Sequence, residues 1–172
     1  MKATPLSFDA WVELLNAQFP GAVLESSATE LQPFVRVSTE SLLAICQFLK
    51  EDPRCWMDFL ECLSGVDLGA TADKVQVVYH LWSIPHNHRL VVKVEAPRSG
   101  SAHESGLPVV PSVAQIWRTA NWHEREAFDL VGIFFEGHPD LRRILLPEDW
   151  EGHPLRKDYK TADSYHDVQI DY

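Results

Sequence analysis

Residues 121–160 read NWHEREAFDLVGIFFEGHPDLRRILLPEDWEGHPLRKDYK, and the fold is decided by how this stretch is disposed. In its first part Trp122, Ala127, Leu130 and Val131 return near helical spacing, while Glu124, Arg125, Glu126 and Asp129 fill the other faces, which predicts a helix. Asn121 suits the N-cap, with Glu124 three residues on as its capping-box partner, and Gly132 stops the helix. The second part repeats itself. Glu136-Gly137-His138-Pro139 and Glu151-Gly152-His153-Pro154 are each followed by paired basic residues, Arg142-Arg143 and Arg156-Lys157. Proline after each His keeps that His extended and glycine before it permits a sharp turn, so two rigid corners are expected.

Between the corners, Leu141, Ile144, Leu145 and Leu146 form an apolar insert that needs burial, and the flanking arginines suit forked pairing with carboxylates. A segment this rich in charge and aromatics does not hold its order alone, so it reads as a strap that docks on a partner surface. The plainer reading makes His138 and His153 turn residues and the basic pairs a solvated face.

The run Glu124-Arg125-Glu126, Phe128-Asp129-Leu130, Gly132-Ile133, then Gly137-His138-Pro139-Asp140-Leu141-Arg142-Arg143-Ile144-Leu145, and finally Gly152-His153-Pro154-Leu155-Arg156-Lys157-Asp158-Tyr159, resembles the family of the C subunit of the proton-pumping NADH:quinone oxidoreductase, respiratory complex I. The chain before Ser112 fits that family only in general pattern. Lys160 stands where the family usually has proline, which leaves the exit direction after Tyr159 less fixed.

The chain before the strap is patterned for packing. Ser7 can cap a helix carrying Phe8, Trp11, Val12, Leu15 and Phe19, ended by Pro20-Gly21. Val23-Leu24 and Phe34 to Val37 are short β-rich runs. Thr39-Glu40 opens a second helix with Leu42, Leu43, Ile45, Cys46 and Leu49 as its stripe, closed by Pro53. Cys55 to Leu68 reads as a helix and then a short strand, because Trp56, Phe59, Leu60, Leu63 and Val66 suit helical spacing until Gly65. Lys74 to Trp82 and Arg89 to Glu95 alternate as strands, with Pro85-His86-Asn87-His88 as a hairpin loop whose histidines are expected to be exposed. Ala96 to Pro111 is a surface connection, and Ser112 begins a short helix through Val113, Ile116 and Trp117. The expected fold is α+β, a mainly antiparallel sheet with packing helices, followed by an extended C-terminal strap and tail. The boundary falls between residues 1–131, a globular domain, and residues 132–172, a docking segment and an acidic tail that is disordered or held by a partner.

At 172 residues with a formal charge of -10, the chain suits one domain with a real core, and disfavours nucleic acid and anionic membranes as partners. Cys46, Cys55 and Cys62 form neither a Cys-x-x-Cys pair nor an iron–sulfur ligand set, so they read as core residues in a reducing compartment. No apolar run has the length of a spanning helix, and Met1 to Ala10 lacks the pattern of a leader. His123-Glu124 lacks the second His of a zincin helix, since Ala127 occupies that place, and no serine elbow, phosphate cradle or dinucleotide fingerprint is present. A metal-free acid–base site on His123, Glu124, Glu126 and Asp129 competes with inter-element ion pairing as the use of these charges.

The resemblance implies a chain with no catalytic, cofactor-binding or metal residues of its own. FMN, iron–sulfur clusters and quinone would lie on partner subunits, and this chain would brace the hydrophilic arm against subunits D and B and other subunits of that arm. It would sit peripherally on the cytoplasmic side of the bacterial inner membrane, held there through partners. The interface residues so implied are Glu124, Arg125, Glu126, Asp129, Gly132, Gly137, His138, Pro139, Asp140, Arg142, Arg143, Gly152, His153, Pro154, Arg156, Lys157 and Asp158. A homologous subunit of a membrane-bound hydrogenase or related dehydrogenase complex is the alternative, and a free acidic hydrolase the third.

Overall fold

The computed structural model describes residues 6–101, 103–166 and 168–170, and runs α1 (Phe8–Gln18), β1 (Val23–Ser27), β2 (Phe34–Val37), α2 (Leu42–Glu51), β3 (Phe59–Asp67), β4 (Lys74–Ser83), β5 (His88–Pro97), β6 (Val109–Pro111), α3 (Ala120–Val131), β7 (Phe134–Glu136), β8 (Ser164–Tyr165) and β9 (Val168–Gln169). The readings made on Met1 to Pro5 and on the last two residues of the tail lie outside the described residues. Strict alternation fixes the middle of the main sheet. Val75, Val77, Tyr79 and Leu81 of β4 are buried beside Leu90, Val92, Val94 and Ala96 of β5 in a full antiparallel register.

The sheet order is β1-β2-β5-β4-β3, antiparallel except where β2 lies parallel to β5. This is the expected α+β class, with three α-helices among the described residues. Trp11 and Leu15 of α1 and Leu42, Ile45, Cys46 and Leu49 of α2 join the strand residues in one core. Ser7 caps α1 as expected, accepting from the N–H of Ala10 at 3.3 Å. Burial pushes the Cys55 thiol up to about 12 and holds Cys46 protonated as well.

Cys55 to Leu68 corrects the expectation of a helix. Phe59–Asp67 within it is the edge strand β3, and a bulge between Leu60 and Cys62 adds one residue, so the inward residues Leu60 and Leu63 fall three apart and mimic a helical stripe. Trp56 turns the chain into this strand with φ +37°. The free edge of β3 is capped by side chains arriving from later in the chain. Trp117 Nε1 donates to Met57 O at 2.8 Å, Thr119 Oγ1 donates to Leu60 O at 3.2 Å, and His123 Nδ1 lies 3.3 Å from the main chain of Leu63.

Three smaller readings also change. His88 is not an exposed loop residue but opens β5, 6% exposed, with Nε2 donating to Cys55 O at 2.7 Å. The short helix expected from Ser112 is a single turn, closed by bonds from the N–H groups of Ile116 and Trp117 to Val113 O. The described tail folds back as the β8–β9 hairpin, fastened to Asp149 by Tyr165 Oη at 2.8 Å and His166 Nε2 at 2.7 Å.

Candidate functional site

Helix α3 lies on β3 at Gly65, where an added Cβ would stand 3.0 Å from Ile133 and 3.1 Å from Ala127. A side chain at that position would therefore require Ile133 and Ala127 to give by a few tenths of an ångström. The opposite side of α3 is wrapped by the strap, so Ala127 and Val131 of the expected stripe are buried but the rest of the assignment changes. Trp122, read as part of the packing stripe, is 66% exposed, whereas Glu124, Arg125 and Asp129 are buried. The cap differs too. Thr119 occupies the N-cap position without a side-chain bond, and Glu124 serves no capping box.

Asp129 is the centre of the clasp. Its Oδ1 accepts from Arg143 at 2.7 Å, and its Oδ2 accepts from the consecutive N–H groups of Ile144, Leu145 and Leu146 at 3.0, 2.8 and 2.9 Å. Successive N–H groups converging on one oxygen form an anion nest. Burial disfavours the charge on Asp129, but the Leu146 N–H, the Arg143 guanidinium and the N–H groups of Leu145 and Ile144 outweigh it and hold the carboxyl below the usual carboxylate range. The carboxylate that Arg143 pairs with thus belongs to this chain, and the same guanidinium also donates to the carbonyls of Trp150 and Gly152.

Both expected corners exist, with Gly137 at φ +80° and Gly152 at φ +79°. Their histidines grip the two ends of α3. His138 Nε2 donates to Asn121 O at 3.1 Å, and His153 Nδ1 donates to Asp129 O at 2.9 Å. Gly132 ends the helix with φ +72°, as expected. The remaining terminal carbonyls are met from the strap: Leu130 O by the N–H of Leu155, Val131 O and Gly132 O by the Arg156 guanidinium. Arg125 reaches back from the helix to the carbonyls of Arg142 and Arg143 at 3.2 and 3.1 Å.

A second carboxylate, which sequence reasoning missed, secures the far end. Asp67 accepts from the N–H groups of Lys157 and Gly69 and from Arg98 Nε, each at 2.9 Å, and Arg98 also pairs with Asp158. Burial disfavours its charge, but these donors prevail and hold it below the usual range. Its inward place in the β3 alternation was the available signal, hidden by the bulge. Glu124, fully buried, accepts from Ser112 Oγ at 2.5 Å and the Val113 N–H at 2.7 Å, and burial pushes its carboxyl up to about 7.

The acid–base grouping weighed for His123, Glu124, Glu126 and Asp129 is not assembled. His123 faces the β3 backbone, Glu126 is exposed, and Asp129 is enclosed by donors. Pro139, Asp140 and Arg142 are exposed on the outer side of the first corner, where Arg142 and Asp140 pair at 3.0 Å. Of the apolar insert, Leu141 packs against the core, whereas Leu145 is 61% exposed, and Leu155 beyond it is 59% exposed. Among the described residues no group of three or more His, Cys, Asp or Glu could hold a metal ion, and no helix is long and apolar enough to cross a membrane.

Fold and clasp together define an α+β sheet domain whose C-terminal strap is folded back over its last helix. Residues 35–165 match the family described as the respiratory-chain NADH dehydrogenase 30 Kd subunit, and the chain belongs to that family. It is accordingly a member of a multisubunit NADH-quinone oxidoreductase complex. It is 43% identical over 162 residues to the C subunit of the NADH-quinone oxidoreductase of Chlorobium phaeobacteroides, covering 93% of each chain. It is 45% identical over 161 residues to the same subunit of Chloroherpeton thalassium, covering 92% of this chain but only 63% of that longer one. A chain in the structure of the membrane-bound sulfane sulfur reductase, an archaeal respiratory membrane complex, has the same fold, with TM-score 0.69, 22% identity and coverage of 88% of this chain and 85% of that one.

Proposed function

We propose that this chain is a non-catalytic bracing subunit in the hydrophilic arm of a complex that passes electrons from NADH to quinone and couples that transfer to proton translocation. The observation that carries this reading is how the charges are used. Asp129, Arg143, Arg156 and Asp67 are spent on holding the strap to its own helix and sheet, while Trp122, Leu145 and Leu155 face outward. Asp129 and Asp67, enclosed by donors and held below the usual carboxylate range, are unsuited to proton transfer, and apolar side chains on a rigid polar frame suit a docking surface.

The partners proposed are subunits D and B, with other chains of the same arm, and FMN, iron–sulfur clusters and quinone are assigned to partner chains. Attachment to the cytoplasmic side of the inner membrane would then run through those partners. The motif residues divide into two roles. Glu124, Arg125, Asp129, Gly132, His138, Arg143, His153 and Arg156 build the frame, whereas Glu126, Pro139, Asp140 and Arg142 lie on its accessible side. Detergent extraction of membranes carrying a tagged copy should bring down subunits D and B together. Redox or hydrolytic activity in the purified chain alone would overturn the reading.

A further inference from the structure

The two histidines of the strap differ in what stands beside them. Nε2 of His138 lies 4.0 Å from Oε2 of Glu124, with both side chains fully enclosed, so the two groups face each other without being bonded. Each is engaged elsewhere. His138 donates through Nε2 to Asn121 O and accepts at Nδ1 from the N–H of Asp140 at 3.0 Å, which fixes it as the neutral Nε2–H tautomer. Glu124 takes its bonds from the Ser112 hydroxyl and the Val113 N–H, which are neutral donors.

Two further titratable side chains sense Glu124, and both are pushed away from neutrality. Burial raises the Cys46 thiol of α2 and the Tyr79 phenol of β4, and a charge on Glu124 raises both further. The Tyr79 hydroxyl is itself enclosed and has no hydrogen-bond partner among the described residues, so the polar groups here are incompletely satisfied. Arg125 on α3 and Asp140 on the strap act on His138 with opposite signs, and burial holds its imidazole neutral. An ionised Glu124 in this place is a buried carboxylate without a counter-charge. The adjacent N–H able to turn toward it is that of His138.

We propose that Glu124 and His138 form a proton-controlled joint between α3 and the first corner of the strap. With Glu124 neutral, the His138–Asn121 bond fastens the corner. When Glu124 releases its proton to solvent, the imidazole turns from the Asn121 carbonyl to the carboxylate, and residues 136–140 loosen from the helix. The second corner does not share this behaviour, because His153 grips the carbonyl of Asp129, whose carboxylate stays charged. The titration of Glu124 at about 7 puts the joint in the physiological range.

Hydrogen exchange of the full chain, corrected for intrinsic rates against peptides of β4, tests the joint across about pH 5.5 to 8.5. The amides of His138 and Asp140 should lose protection about five-fold through a midpoint near neutrality, one hydrogen bond's worth, while residues 144–146 stay level. Glu124→Gln should remove the step. A level profile in the unaltered chain, or the same step in Glu124→Gln, overturns the proposal. Should Glu124→Gln fail to fold, the unaltered chain still decides by nitrogen NMR of His138 alongside an infrared titration of the Glu124 carboxyl. The His138 Nε2 signal should move with the carboxyl, and a signal that stays fixed while Glu124 titrates, or a carboxyl that does not titrate near neutrality, overturns it.

Discussion

The two Glu-Gly-His-Pro corners begin from the same four residues and hold their glycines at nearly the same φ, yet they grip the helix by different means. At 137–139 the histidine grips the first turn of α3 beside the buried acid Glu124, and the following Arg143 runs on to the carboxylate of Asp129. At 152–154 the histidine and the following arginine find only carbonyls, those of Asp129, Val131 and Gly132 at the helix end. A repeated motif therefore encodes the turn, while the strength and chemistry of each attachment come from what the helix offers there. The first corner depends on ionisable groups and the second on the unpaired carbonyls that any helix terminus presents.

Removing Asp129 breaks the first attachment at its source and should give the largest effect. In Asp129→Ala the Arg143 guanidinium and three strap N–H groups lose their acceptor together, so unfolding free energy should fall by about 3–5 kcal/mol. Denaturant titration measures this, and exchange at residues 144–146 should rise by orders of magnitude while β4 keeps its protection. The same carboxylate sets an acid limit. Because Asp129 and Asp67 titrate below the unfolded value of 3.8, their contribution is complete above that pH and is lost as pH falls through the lowered folded values. Asp129→Asn should lack its share of that acid dependence, and an unchanged profile would remove Asp129 from the account.

Glycine substitutions sharpen the contrast between the corners at a smaller scale. Gly132 combines φ +72° with the His153 ring packed where a Cβ would stand, so Gly132→Ala meets both backbone strain and overlap and should cost about 2–4 kcal/mol. Gly137 has a similar φ of +80° and open space around it, so Gly137→Ala should cost only about 1 kcal/mol. Thermal denaturation of the two variants side by side decides this. Equal losses would mean that His153 yields readily and that the second corner is loosely packed.

These differences mark what could be read from the sequence. Local chemistry was legible: the glycine turns, the stop at Gly132, the Ser7 cap and the alternating strands all stand as their patterns indicate. The family was legible from the spacing of the strap residues. What stayed hidden depends on long-range contact. A single bulge converted the Leu60–Leu63 spacing of β3 into a helical one and so concealed Asp67, whose partners Arg98 and Lys157 are distant in the chain. Periodicity likewise set the charges of α3 on its other faces without showing which are buried, because it presumes that a buried face is apolar, and here the strap brings its own N–H and guanidinium groups to meet Asp129.

The smallest effect is expected at Arg142, and it separates folding from docking. Arg142 pairs with Asp140 at 3.0 Å, but the two side chains are 65% and 56% exposed. An exposed pair of this kind contributes little, so Arg142→Ala should change the stability of the isolated chain by less than about 0.5 kcal/mol. Its neighbour Arg143 donates to Asp129, Trp150 and Gly152, and Arg143→Ala should weaken the isolated chain before any partner is involved. If the outer side of the first corner meets another subunit, Arg142→Ala should nevertheless lower the yield of assembled complex on native gels, with NADH:quinone turnover per flavin unchanged. A carboxylate left facing that contact without its cation supplies the reason, since the loss falls on association rather than on chemistry. Full assembly together with unchanged stability would show that this side of the corner faces solvent, and would confine the docking surface to Trp122, Leu145 and Leu155.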